Sequence, residues 1–181
     1  MSANRLFFAL WPSPPLAASL AEWAQAARLH SGGRVMRTET LHLTLAFLGP
    51  VEAQLADALA AATPDRCVPP GELALDRYGV FKRQRILWAG PREAGPREAP
   101  APLQAIHDGL WHWLAGYGLT APPQPFRPHV TLLRNIERDD PPPPPPDPLI
   151  WRYDRLVLVA SESQTGGSRY RIVAQSRPLS P

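Results

Sequence analysis

After Arg5 the hydrophobic pattern opens on an unbroken apolar run, Leu-Phe-Phe-Ala-Leu-Trp, and residues 5–11 read as a strand. Ser13 then stands where a helix cap belongs, and Pro14 and Pro15 suit a first helical turn, so a helix is expected from there toward His30. Within it Leu16, Leu20, Trp23 and Ala27 recur at helical spacing as a buried stripe, while Glu22, Gln25 and Arg28 face water. Gly32 and Gly33 end the helix, and residues 41–48 read as the next strand. Gly49-Pro50 predicts a turn into a second helix over residues 51–62.

Farther along, residues 72–89 suggest two strands around Gly79, joined as a hairpin with Lys82, Arg83 and Arg85 near the connection. Residues 91–101 hold Pro-Arg-Glu-Ala twice and read as a flexible joint. Leu103, Ile106, Leu110 and Leu114 mark another amphipathic helix, closed near Gly116 and Gly118. A strand is expected over residues 126–133, and the six prolines Pro141 to Pro146 form an extended spacer of about 18 Å inside a loop spanning 139–148. Two strand-like runs, 150–161 and 168–174, close the chain around a turn at 164–167. The pattern is that of an α+β protein, expected as a single domain over 1–181.

Composition narrows the function classes only modestly. With 181 residues, 44% of them apolar, the chain can bury a real core. No apolar stretch reaches the roughly 20 residues of a membrane span, and the expectation is a soluble, cytoplasmic protein. One cysteine, Cys67, offers neither a disulfide nor a zinc cluster. A net charge of +3 permits a polyanionic partner without requiring one. Lys82 is the only lysine among 19 basic residues, so the positive charge is nearly all guanidinium, which grips phosphate bidentately.

Two tetrapeptides carry the chemistry: His42-Leu43-Thr44-Leu45 and His129-Val130-Thr131-Leu132, one in each half. On a strand each His shares a face with its Thr, while the intervening apolar residues point to the other layer. A shuffled chain of this composition would hold only about 0.2 His-x-Thr triplets, so the pair argues for chemistry over two half-buried strand histidines. One imidazole can take a proton from water while the other gives one to a departing sugar oxygen, since histidine titrates near neutrality. Threonine hydroxyls beside them can hold non-bridging phosphate oxygens. Threonine is a poor metal ligand and no His-Glu-x-x-His or cysteine cluster occurs, so no metal or cofactor is expected. His30, His107 and His112 fall on predicted helices and read as structural.

Around these motifs the chain resembles the 2H phosphoesterases, and within them the RNA 2′,3′-cyclic phosphodiesterases once called 2′-5′ RNA ligases. The likeness runs through Arg5-Leu-Phe-Phe-Ala-Leu10, His42 to Gly49, Gly79-Val-Phe81 with Ile86-Leu-Trp88, Pro128 to Arg134, and the late Ser161 with Arg169-Tyr170. It implies a bilobal α+β fold whose two pseudo-twofold-related halves line a central cleft with antiparallel sheets and carry helices outside. It also implies hydrolysis of an RNA terminal 2′,3′-cyclic phosphate to a 2′-phosphate, with reversible 2′-5′ joining in some members. By position, His42 would protonate the departing 3′ oxygen, His129 would activate water, Thr44 and Thr131 would bind phosphate, and Arg134 would add charge. Phe8 and Tyr170 would contact the terminal nucleoside. Ideal alternation puts Arg134 on the wrong face for this, so a bulge or strand end near Leu133 is required. The proline insertion departs from the compact loop expected of the family.

The expected partners are RNA ends or nucleotide cyclic phosphates, with no membrane, and the chain is taken as a monomer. The same motifs also serve a phosphodiesterase acting on 2′-5′ oligonucleotides or small cyclic nucleotide esters such as ADP-ribose cyclic phosphate. A non-catalytic RNA-end-binding module is the alternative from another class, against which the second histidine argues.

Overall fold

The Phe-Phe-Ala-Leu run at the start needs both faces covered, and it gets a central place in a sheet. In the computed structural model, which describes residues 4–92, 99–165 and 167–179, the elements in chain order are β1 (Asn4–Leu10), α1 (Pro14–Ser31), β2 (Arg34–Val35), β3 (Leu43–Val51), α2 (Ala53–Ala62), β4 (Cys67–Val68), β5 (Gly71–Leu75), β6 (Arg77–Phe81), β7 (Ile86–Gly90), α3 (Ala101–Ala115), β8 (Val130–Arg134), β9 (Leu149–Tyr153), β10 (Val157–Gln164), β11 (Gly167–Gln175) and β12 (Arg177–Pro178). The main sheet runs β11-β10-β1-β3-β8-β7-β6, with β2 beside β8, and every ladder in it is antiparallel.

The two halves meet at one point. β3 and β8 share a single residue pair, Leu43 opposite Val130, and then diverge. The first half carries β1, β10 and β11 outward from β3; the second carries β7 and β6 outward from β8. The antiparallel sheets of the two halves are thus joined into one at this seam. Helices cover the back, α1 and α3 each over the other half's strands and α2 over β1 and β11 of its own half. Trp23 of α1 meets Tyr78 of β6 edge-on at 5.2 Å, and Tyr78 Oη donates to the Trp23 carbonyl at 2.8 Å. Trp113 of α3 meets Phe8 of β1 at 5.9 Å. The larger core cluster spans both halves and includes Leu6, Leu20, Leu43, Leu87, Leu110 and Leu132, and a smaller one gathers Phe7, Ala9, Val157 and Val159.

Several sequence expectations shift. β3 does not turn at Gly49-Pro50 but runs through to Val51, because Gly49 (φ 70°) absorbs a register skip between Leu6 and Phe7. Pro50 is tolerated there because past Leu43 the strand has lost its β8 neighbour. The predicted hairpin over 72–89 is three strands: β5 leaves to pair with β9, and the turn lies after Phe81, with Gly79 inside β6. The expected run 150–161 breaks into β9 and β10 around Asp154, and the strand expected from 126 begins only at Val130. Of the 91–101 joint, 93–98 lie outside the described residues, and Ala101 already opens α3. The proline loop has no regular structure, and its entry is tied by Asp140 to His30 (3.0 Å) and by Asp139 to Lys82 (3.1 Å). No helix among the described residues is long and apolar enough to cross a membrane.

Candidate active site

Both His-x-Thr motifs sit at the seam, so Leu43 facing Val130 brings His42 and His129 together across it. Neither histidine lies within its strand; each is the residue just before the first ladder position. The reason is the same on both sides. His42 Nδ1 lies 2.7 Å from the Thr40 carbonyl, and His129 Nδ1 lies 2.7 Å from the Arg127 carbonyl. A carbonyl oxygen only accepts, so Nδ1 carries the hydrogen in each ring and Nε2 is the nitrogen left for the cleft.

The match extends beyond the motifs. In β3 the ladder to β1 skips Leu45, passing from Thr44 opposite Ala9 to Ala46 opposite Phe8. In β8 the ladder to β7 skips Leu132, passing from Thr131 opposite Trp88 to Leu133 opposite Leu87. Each bulge falls one residue after the threonine and buries two consecutive apolar side chains, Leu45-Ala46 and Leu132-Leu133. Parity is thereby reversed, and the fifth residue after each histidine returns to the cleft. In the second half that residue is Arg134, which satisfies the bulge its position demanded. In the first half it is Phe47, 55% exposed, which the sequence reading missed although aligning the two motifs points to it.

These residues line a cavity of about 370 Å³ with His42, His129, Thr44, Thr131 and Arg134 together. Tyr170 lines it too, edge-on to His42 at 5.4 Å. Phe8 does not. It is fully buried on the helix side against Trp113, and the cleft-facing neighbour is Phe7, 4.8 Å from the His42 ring. This corrects the expected nucleoside contact for Phe8: successive strand residues face opposite layers, and the register places Phe7 across from Phe47. Also missed were Trp11, stacked on His42 at 5.5 Å, and the second-half walls Phe81 and Trp88, at 4.9 and 6.0 Å from His129. Adjacent apolar residues gave no signal as to which would face the cleft.

The aromatic walls set the electrostatics. Burial pushes the His42 pKa down to about 4, against the opposing effect of the Thr40 carbonyl and aided by the charges of His129 and Arg134. Burial likewise lowers that of His129, with Arg127 and Arg134 adding to it. Both shifts favour the neutral ring at pH 7. His30 pairs with Asp140 away from the seam, whereas His107, paired with Asp108, lines a cavity of about 720 Å³ together with Thr44, Phe81 and His129. Among the described residues, no group of three His, Cys, Asp or Glu side chains could hold a metal ion.

Comparison with known proteins bears on the whole arrangement. The family model described as 2'-5' RNA ligase superfamily matches residues 12–162. An RNA 2',3'-cyclic phosphodiesterase of Escherichia coli (strain K12) is 32% identical over 169 residues, covering 92% of this chain and 92% of that protein. One from Thermus thermophilus is 30% identical over 176 residues, covering 93% of this chain and 87% of the other. Among solved structures, E. coli LigT complexed with 3'-AMP is similar with a TM-score of 0.85 at 30% identity, covering 99% of this chain and 100% of that one.

Proposed function

The chain belongs to the 2'-5' RNA ligase superfamily, and from that premise we propose that it hydrolyses the 2′,3′-cyclic phosphate at an RNA end by acid/base catalysis between His42 and His129. One observation carries the reading: two imidazoles, one from each half, are pinned alike through Nδ1 and share a cleft with two threonines and an arginine. Relatives named for the same reaction support it, as does the nucleotide held by the E. coli structure.

In the proposed reaction, water attacks phosphorus as His129 Nε2 takes its proton, and the P–O3′ bond breaks as protonated His42 Nε2 gives one to the departing oxygen. The products are a 2′-phosphate and a free 3′ hydroxyl. Thr44 and Thr131 donate to the non-bridging oxygens, where negative charge grows, and Arg134 adds a fixed positive charge. The incoming phosphate anion itself favours a protonated ring, offsetting the lowering that burial imposes on both histidines. Tyr170 and Phe7 offer the terminal nucleoside an aromatic wall. Proton transfer through these two rings calls for no metal. Both histidines come from one chain, so the site is complete in a monomer.

The test is product analysis after incubating the pure protein with a short RNA ending in a 2′,3′-cyclic phosphate, with EDTA present. A 2′-phosphate product is expected. Binding without turnover would instead favour an end-binding module, and turnover confined to 2′-5′ oligonucleotides or small cyclic esters would reassign the substrate.

A further inference from the structure

We propose that a recess beside the reactive cleft seats the phosphodiester preceding the terminal nucleotide, so that the site is built for an RNA strand rather than a mononucleotide. This rests on the cyclic-phosphate reading above. The recess has a volume of about 270 Å³ and is lined by Arg34, Arg37, Arg134, Thr40, Ser168 and Tyr170 among others, with no carboxylate among its lining residues. Four of these, Thr40, Arg134, Ser168 and Tyr170, also line the cavity that holds the two histidines. Recess and cleft are therefore consecutive stops on one path.

Arg34 of β2 stands directly opposite Arg134 of β8 in the antiparallel ladder. Like charges in directly opposed positions destabilise a sheet unless an anion is shared between them. Neither guanidinium has an ion-pair partner among the described residues. Arg37 is held by donating from Nη2 to the Ser168 carbonyl at 2.6 Å, which fixes it against the β10–β11 hairpin. Among the described residues its ion-pair partner is Glu39, 3.6 Å away with both side chains more than half exposed, too weak a pair to neutralise the recess. Three converging guanidiniums are the chemistry that recognises a phosphodiester. Direction follows from the reaction: if His42 faces the departing 3′ oxygen, the terminal nucleoside lies on the His42 flank. The strand then leaves the cleft on that side, toward the recess walls Thr40, whose carbonyl holds His42, and Tyr170, edge-on to its ring.

Steady-state kinetics of Arg34→Gln test this with two substrates, 2′,3′-cyclic AMP and a short RNA ending in the same cyclic nucleotide. Arg34 is exposed and its strand pairs through the backbone, so the variant should fold. KM for the RNA should rise about tenfold, the loss of one charge-assisted contact, with kcat unchanged and both constants unchanged for the mononucleotide. Arg34→Lys, which keeps the charge without the fork, should fall between. The dependence of log KM for RNA on log salt should lose about 0.7 in slope, as for one single-strand phosphate contact. An equal change for both substrates, or an unchanged KM for RNA, would overturn the assignment. Wild-type protein that turns over neither substrate would instead overturn the reading beneath it.

Discussion

Each histidine owes its role to a carbonyl two residues upstream, and that makes strong demands on substitution. His42→Ala and His129→Ala should each cost about 10² to 10⁴ in kcat, with the double variant scarcely worse, because the two rings serve one transition state. Thr44→Ala and Thr131→Ala should cost about 10² to 10³, the loss of one donor to a developing oxyanion. Near-normal turnover in either histidine variant, or inactivity that merely follows a collapsed melting temperature, would remove the pair from the mechanism. The lowered pKa values have a definite sign. In the free enzyme, protonating His42 requires pH near 4, so kcat/KM should trace a bell centred on the acid side of 6.5. The kcat profile reports the complex, where the phosphate anion raises both rings, and should lie at higher pH. A kcat/KM optimum above pH 7 would contradict this. Stability follows the same shift: with the His42 pKa lowered on folding, the unfolded chain binds the proton first, and its contribution is lost as pH falls from 6.5 toward 4.

At the scale of single elements, β6 and β7 support the second histidine through a side chain and its absence. Gly79 faces Trp88 across the ladder, and a Cβ there would collide with the indole. Gly79→Ala should therefore destabilise the fold by about 1–3 kcal/mol, as overpacking does, and lower turnover by displacing Trp88 from His129. Denaturant melts and kinetics on the same variant check both effects. Strands β3 and β8 also show what the sequence could and could not disclose. Period-two alternation put each His and Thr on one face, and the failure of that alternation at Arg134 announced a bulge. Phe7 and Phe8 are both apolar, so alternation there is silent, and a one-residue choice of register exchanges the two faces. Likewise the pairing of β5 with β9 joins strands far apart in the chain and leaves no mark in local pattern. Local chemistry was legible, and long-range register was not.

Taken whole, the molecule interlocks: α1 lies over the strands of the second half and α3 over those of the first. Met36 N–H donates to the Leu132 carbonyl and Glu137 N–H to the Ser31 carbonyl, stitching the halves again. Neither half can bury its apolar face alone, so unfolding should be a single two-state transition, with calorimetric and van't Hoff enthalpies equal. Two separate transitions would mean independent lobes.

The paired bulges carry one consequence more. A cradle with true twofold symmetry would accept a phosphodiester in either direction, and its acid and base would be interchangeable. Here the fifth residue after one histidine is a ring and after the other a cation, so the cleft has a head and a tail. Exchanging them, Phe47→Arg with Arg134→Phe, should erode that polarity and raise the share of 3′-phosphate in the product, which chromatography against the two isomers would read. On this view a pair of side chains at matched places, more than the shared scaffold, decides which of two chemically similar bonds is opened.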